Sequence, residues 1–291
     1  MTSRGIKTIT ILESWDQPSK YPRGYWPQRV FVWNKKLQND WREYQGSGNV
    51  SIGYPTKLHY VVNNNHKTND NHRRVPPTIM YPATFCLNET HLLNESTILH
   101  EEECLLIQAL ARITQKLDVN LIIKPKPDGT QGEYEKALYG FSHVKVGAYQ
   151  NYKAKADYFL SETYNSQRII ELQSADMIVN FGTTFAIDAA LFGLPILQLE
   201  PLKEGNFPGL AKAKLGFHLQ KYILKNKSMV HGILDYKDIE TAIIRGLDEY
   251  IEGPFTGKGS IWKMRDELHS FVKPEKTLDE AIDLGIIYCK R

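Results

Sequence analysis

The stretch DMIVNFGTTFAIDAALFGLP, residues 176–195, decides the fold of this chain. It opens with a short apolar run, residues 177–179, that is typical of a buried strand, and it ends with a glycine and a proline, which stop a helix. Residues 186–191 are helical in pattern, and a further apolar run begins at residue 195. Strand, turn, helix and strand in this order predict a βαβ unit with parallel strands.

The turn of this unit, Gly182-Thr183-Thr184, stands where the helix begins. Free backbone N–H groups and the helix dipole favour an anion at such a place, and two hydroxyls add donors. Asp188 lies four residues after Thr184, about one helical turn, so it faces roughly the same way. The residues suit a nucleoside diphosphate, with the turn on the phosphates and the carboxylate on the ribose. They equally allow a simple N-cap at Thr183 or Thr184 and a solvated Asp188.

The chain around this unit alternates strands and helices from Thr78 onward, which predicts an α/β fold with a doubly wound, Rossmann-like parallel sheet. A second distinctive loop, KPKPDG at residues 124–129, follows a buried strand over residues 119–123. Doubly wound sheets bind ligands at the carboxyl ends of their strands, and both loops lie at such ends. This agreement favours a site that joins Lys124 to the Gly182–Thr184 turn.

The first part of the chain has its own alternation, with strands expected at residues 7–12, 29–33 and 50–53 and a helix capped by Asn34. The polar, aperiodic stretch NNNHKTNDNHRRVPP, residues 63–77, then predicts a loop or linker. We therefore expect three parts: residues 1–62, a linker at 63–77, and a nucleotide-binding domain at 78–291.

Composition narrows the class of protein. The 291 residues are 42% hydrophobic and 24% charged with a net charge of +3, which is ordinary for a globular protein and too small to indicate nucleic acid binding. The sequence contains no run of about 20 apolar residues, so it predicts no membrane span. Its first residues lack the apolar core of a signal peptide, and we therefore expect a cytoplasmic protein. The three cysteines are widely spaced and match no metal-binding pattern.

Taken in order, these motifs resemble the C-terminal nucleotide-binding half of GT-B glycosyltransferases, in the branch of surface-carbohydrate and CDP-glycerol glycerophosphotransferase-like enzymes. The resemblance rests on the KPKP loop, on residues 174–196, and on three earlier motifs, SWD at 14–16, VFVWN at 30–34 and IGYP at 52–55. Those enzymes have two Rossmann-like halves, and this chain holds only the last strands of the first. The resemblance thus implies that residues 1–62 are the remnant of the N-terminal half and the hinge.

The resemblance also implies roles for individual residues. Gly182, Thr183 and Thr184 would bind the donor phosphates, and Asp188 would bind the ribose. Lys124 would face the pyrophosphate. The catalytic candidates are Asp16, on a loop facing the cleft, and Lys126, which stands where the relatives have histidine; a lysine can neutralise a leaving diphosphate but is a poor general base unless its pKa is strongly depressed.

The implied function is transfer of a sugar or polyol phosphate from a nucleotide-activated donor to a glycan acceptor, without a metal or other cofactor. Two alternatives stay open: an enzyme similar to UDP-sugar 2-epimerases, and a non-catalytic nucleotide-binding domain. The implied location allows peripheral association with a membrane. Because the N-terminal half is short, Val30, Phe31 and Val32 are expected to be exposed and to favour self-association.

Overall fold

A computed structural model describes residues 9–11, 27–46, 49–54, 61, 74–84, 96–125, 131–147, 162–213, 223, 227–253, 259–277, 279–280 and 283. The strands in this part are β1 (Ile9–Ile11), β2 (Arg29–Val32), β3 (Val50–Ile52), β4 (Thr78–Pro82), β5 (Asn120–Lys124), β6 (Val144–Val146), β7 (Met177–Asn180), β8 (Ile196–Pro201) and β9 (Val230–Ile233). The helices are α1 (Lys35–Gln45), α2 (Ser96–Lys116), α3 (Gln131–Ala137), α4 (Glu162–Ser174), α5 (Phe185–Phe192), α6 (Pro208–Ala213), α7 (Tyr236–Glu252) and α8 (Ser260–Val272).

The larger sheet has the order β6-β5-β4-β7-β8-β9, and every neighbouring pair in it is parallel. Numbered from its own first strand, this order is 3-2-1-4-5-6, which is the order of the dinucleotide-binding Rossmann fold. The doubly wound α/β fold expected from the sequence is therefore confirmed. The smaller sheet, β1-β2-β3, is also parallel.

Helices cover both faces of the larger sheet. One apolar layer joins the sheet to α4, α5 and α8, and the other joins it to α2 and α7. Successive strand residues alternate between these two layers, as in the pairs Met80 and Ile79, Ile178 and Met177, and Ile196 and Leu197. Because both faces are buried, the central strands β4 and β7 are buried along their whole length rather than at alternate residues.

The exposure expected for β2 is wrong. Val30, Phe31 and Val32 are 1%, 5% and 0% exposed. The strand lies between β1 and β3, and Val30 and Val32 belong to the same apolar layer as Trp41 of α1 and Leu268 of α8. These residues therefore give no support to self-association.

The start of α1 is completed by the segment that follows α8. Asn34 caps α1 as expected, since its side chain accepts a hydrogen bond from the Leu37 amide at 3.0 Å. The Lys35 amide donates to Glu275 Oε1 at 2.7 Å, and the Glu275 amide donates to the Trp33 carbonyl at 3.2 Å. The smaller sheet is thus tied to the larger one by residues that are about 240 positions apart in the sequence.

Some expectations fall at the edge of the described residues. The expected linker is described only at residues 74–77, where the Arg74 guanidinium lies 3.5 Å from Asp176. Helix α8 was not expected from the sequence. No helix in the described part is long and apolar enough to cross a membrane.

Candidate functional site

The strand order places a crevice between β4 and β7. These neighbours are the first and fourth strands of the larger sheet, and the chain leaves them toward opposite edges. In doubly wound sheets the ligand lies outside the carboxyl ends of the strands at this switch point. The turn Gly182–Thr184, which directly follows β7, is therefore at the position that the topology favours.

The two threonines of the turn have different surroundings. Thr183 Oγ1 accepts a hydrogen bond from the Phe185 amide at 3.2 Å, so this side chain already supports the start of α5. Thr184 occupies the N-cap position with φ −69° and ψ −6° and makes no side-chain cap bond. In the part of the chain described, no hydrogen bond engages the Thr184 amide either. Thr184 thus has a hydroxyl and an amide available to an anion at the positive end of the helix dipole.

Two buried amide side chains lie directly behind the turn. Asn180 ends β7 and Gln198 is its registered neighbour on β8, and both are 0% exposed. Asn180 Nδ2 donates to Gln198 Oε1 at 2.6 Å, and the Thr183 amide donates to Asn180 Oδ1 at 3.3 Å. The backbone of the turn is therefore bonded to Asn180, whose side chain is in turn bonded to Gln198 of the neighbouring strand.

Lys124 ends β5 with its side chain buried. Its ammonium group forms an ion pair with the carboxylate of Glu171 on α4 and lies 5.1 Å from the centre of the Phe185 ring. Since Phe185 directly follows Thr184, the structure brings together the two loops that the sequence singled out. The charge on Lys124 is balanced by Glu171 within the protein.

Asp188 is also buried, on the first turns of α5, and its carboxylate forms an ion pair with Arg168 of α4. The solvated alternative for Asp188 is therefore wrong, and the contact seen is with a guanidinium. Arg168 and Glu171 are three residues apart on α4, so one helix supplies the partner of each candidate charge. Binding of a ribose by Asp188 stays a prediction.

A buried carboxylate holds the backbone at the end of β4. Glu103 of α2 is 0% exposed and accepts hydrogen bonds from the Tyr81 hydroxyl at 3.0 Å, the Tyr134 hydroxyl at 2.7 Å and the Thr84 amide at 2.7 Å. Burial, followed by the negative charge of Glu103, raises the pKa of both tyrosines. The same two causes raise the pKa of the adjacent Cys104 to about 12. The two tyrosines and Cys104 therefore stay neutral at physiological pH, and Glu103 holds the Thr84 backbone just after β4.

Sequence reasoning missed Arg168, Glu171, Asn180 and Gln198. Each is a polar residue inside an otherwise apolar strand or helix face, which is the pattern that could have indicated them. Asp16 and Lys126, the catalytic candidates, lie outside the described residues. In the described part, no group of three or more His, Cys, Asp or Glu side chains could hold a metal ion.

No family model and no curated protein matches the chain. The chain is similar to several solved structures. A complex of Staphylococcus aureus MnaA with UDP has 10% identity, a TM-score of 0.46 and coverage of 82% of this chain. UDP-GlcNAc 2-epimerase from Neisseria meningitidis bound to UDP-GlcNAc has 10% identity, a TM-score of 0.46 and coverage of 91%. The wall teichoic acid polymerase TagF has 11% identity, a TM-score of 0.44 and coverage of 95%.

The chain spans 55%, 62% and 60% of the lengths of these three proteins. With TM-scores below 0.5, the similarities establish neither activity nor ligand for this chain. The assignment of the fold therefore rests on the strand order of the larger sheet.

Proposed function

We propose that this chain provides the nucleotide-binding part of a GT-B-type transferase, which moves a sugar or a polyol phosphate from a nucleotide-activated donor in the synthesis of a surface glycan. The observation that supports this best is the position of Thr184. Its hydroxyl, which makes no cap bond, and its amide, which no hydrogen bond engages in the part of the chain described, lie at the start of α5, at the switch point of a sheet with Rossmann order. A diphosphate is the anion that such a site commonly binds.

The chemistry needed is stabilisation of a leaving diphosphate. As the donor bond breaks, negative charge grows on the phosphate oxygens, and fixed N–H groups, hydroxyls and a helix dipole stabilise that charge without rearranging. The turn supplies these groups. Lys124, which is paired with Glu171, adds a positive charge close to Phe185. In this proposal Asp188 binds the ribose, and Arg168 fixes the orientation of its carboxylate.

The ion pairs of Lys124 and Asp188 give a specific reason to keep a second candidate function, a domain that binds nucleotide without catalysis. Both charged side chains near the turn are neutralised inside the protein. Measuring hydrolysis of the donor separates the two functions, because a transferase cleaves its nucleotide sugar slowly in water whereas a binding domain leaves it intact.

Calorimetric titration of UDP, CDP, GDP and their sugar derivatives into the protein tests the site itself. Thr184→Val should weaken binding by about 10-fold or more, since a hydrogen bond to a charged oxygen contributes about 1.5–3 kcal/mol. Thr183→Val should weaken it less, because its hydroxyl already accepts from Phe185. Thr241→Val is the matched control, as that exposed hydroxyl bonds only locally, to the Lys237 carbonyl of α7. Equal affinities for the Thr184 and Thr241 variants would remove the basis of the proposal.

A further inference from the structure

Asn180 and Gln198 form a closed set of hydrogen bonds around the turn. Gln198 Nε2 donates to the Phe181 carbonyl at 3.0 Å and to the Leu199 carbonyl at 2.9 Å. Its Oε1 accepts from Asn180 at 2.6 Å, while Asn180 Oδ1 accepts from the Thr183 amide at 3.3 Å. Thr183 of the turn and Phe181, which directly precedes the turn, are thus bonded to one pair of side chains, which we call the amide brace (Asn180 and Gln198).

Two fully buried amides between apolar strands need an explanation beyond stability. A well-packed apolar pair of the same shape can be as stable, because both desolvation penalties disappear together. What an apolar pair cannot supply is an acceptor for the Thr183 amide and a donor for the Phe181 carbonyl. The particular contribution of the brace is therefore to fix the orientation of the backbone in the turn.

The orientation that the brace fixes determines which donors are left for a ligand. The Thr183 amide is held inward by Asn180, and the Phe185 amide is taken by Thr183 Oγ1. The Ile187 amide donates within the helix to the Thr184 carbonyl at 3.0 Å. In the described residues, no hydrogen bond engages the Thr184 amide and its side chain makes no cap bond, and the position of both groups depends on the residues that precede them in the turn.

We propose that Asn180 is a positioning residue, which acts with Gln198 through the Thr183 amide to hold Thr184 in the geometry that binds a diphosphate. This inference rests on the proposed function. It assigns a role to two residues that touch no ligand, and it gives the Thr183 amide a structural role and the Thr184 amide a role in recognition.

Two nearly isosteric substitutions test the proposal, Asn180→Val and Asn180→Thr. The threonine hydroxyl can accept from the Thr183 amide, as hydroxyls do in short turns, whereas valine cannot. Ile178→Val is the stability control, since Ile178 is 0% exposed on the same strand and does not contact the turn through hydrogen bonds. Each variant is studied as the full chain, after its Tm has been measured.

The first measurement is hydrogen exchange at the Thr183 amide, followed by NMR, which needs no ligand. Asn180→Val should speed exchange at Thr183 at least about 10-fold, while Asn180→Thr and Ile178→Val leave it close to that of the unmodified protein. Unchanged exchange at Thr183 in the valine variant would overturn the proposal, even if the proposed function holds.

The second measurement is calorimetric binding of inorganic pyrophosphate and of UDP, CDP and GDP. The valine variant should lose about 10-fold in affinity for each ligand that binds, and the threonine variant should stay within about threefold. Equal losses for valine and threonine, following Tm rather than the hydroxyl, would overturn the positioning role. If the unmodified protein binds none of these ligands, the proposed function fails, while exchange at Thr183 still decides whether the brace sets the turn.

Discussion

Replacing Asp188 with asparagine tests the buried ion pair with Arg168. The substitution keeps the shape of the side chain but removes its charge, so the guanidinium of Arg168, whose side chain is 1% exposed, loses its buried counter-charge. Removing one partner of a buried ion pair costs about 3–5 kcal/mol. At about 2–4 °C per kcal/mol for a domain of this size, we expect Tm to fall by roughly 10 °C.

The assay is urea and thermal unfolding at pH 7, followed by circular dichroism. Asp248→Asn is the control, because Asp248 is an exposed carboxylate of α7. The double variant Arg168→Met/Asp188→Leu should recover most of the loss, since both charges are then removed together. If Asp188→Asn lowers Tm no more than Asp248→Asn does, the ion pair does not stabilise the fold and this reasoning is refuted.

The same variant tests ribose binding at a temperature at which it remains folded. Asp188→Asn should weaken binding of a whole nucleotide and leave inorganic pyrophosphate unaffected, because the ribose is present in the first ligand alone. Equal weakening of both ligands, or of neither, would exclude a ribose contact at Asp188.

Three further predictions concern other parts of the fold. Cys104 should react with a disulfide reagent at pH 8 about 1000-fold more slowly than an ordinary thiol, because its pKa of about 12 leaves little thiolate. The rate is measured with the other two cysteines replaced by serine, and reaction at the ordinary rate would contradict the prediction. Burial, followed by the charge of Arg245, lowers the pKa of His231 in the folded protein, so protonation of this histidine favours unfolding. The free energy of unfolding should therefore fall as the pH drops below about 6.5. His231→Gln should flatten that pH dependence in urea titrations at pH 5 and 7. Gly209→Ala should destabilise the protein by about 1–3 kcal/mol, because the new Cβ would lie 2.9 Å from Glu102 Oε1, the atom that accepts a hydrogen bond from the Gly209 amide. An unchanged urea midpoint would show that Glu102 can move aside.

The fold could be predicted because its information is local. The apolar run at β7, the glycine at residue 193 and the apolar start of β8 gave the central βαβ unit, and the structure places β7 at Met177–Asn180 and α5 at Phe185–Phe192. Asn34 likewise capped α1 as expected, since an N-cap depends on residues three positions apart. Periodicity and capping act over one or two turns, which is the range that a sequence shows directly.

The site could be predicted in position but not in its contacts. The partners of Lys124 and Asp188 both come from α4, and nothing local to either residue names Glu171 or Arg168. Val30 belongs to an apolar layer that also contains residues of α8, more than 200 positions away, and that helix was itself missed. Long-range pairings of charge and of apolar surface are decided by tertiary packing, so the sequence indicated the loops of the site and left the charge balance open.

The bonds between Glu275 and the start of α1 have a consequence for synthesis of the chain. Lys35 leaves the ribosome long before Glu275 does, and at roughly 5–20 residues per second the interval is on the order of 10–50 seconds. During that time α1 lacks the segment that completes its start, and the apolar layer that contains Val30 and Val32 lacks the residues of α8. A chaperone that binds nascent chains would therefore find this apolar layer incomplete until translation is nearly finished, although Val30 and Val32 are buried in the folded protein.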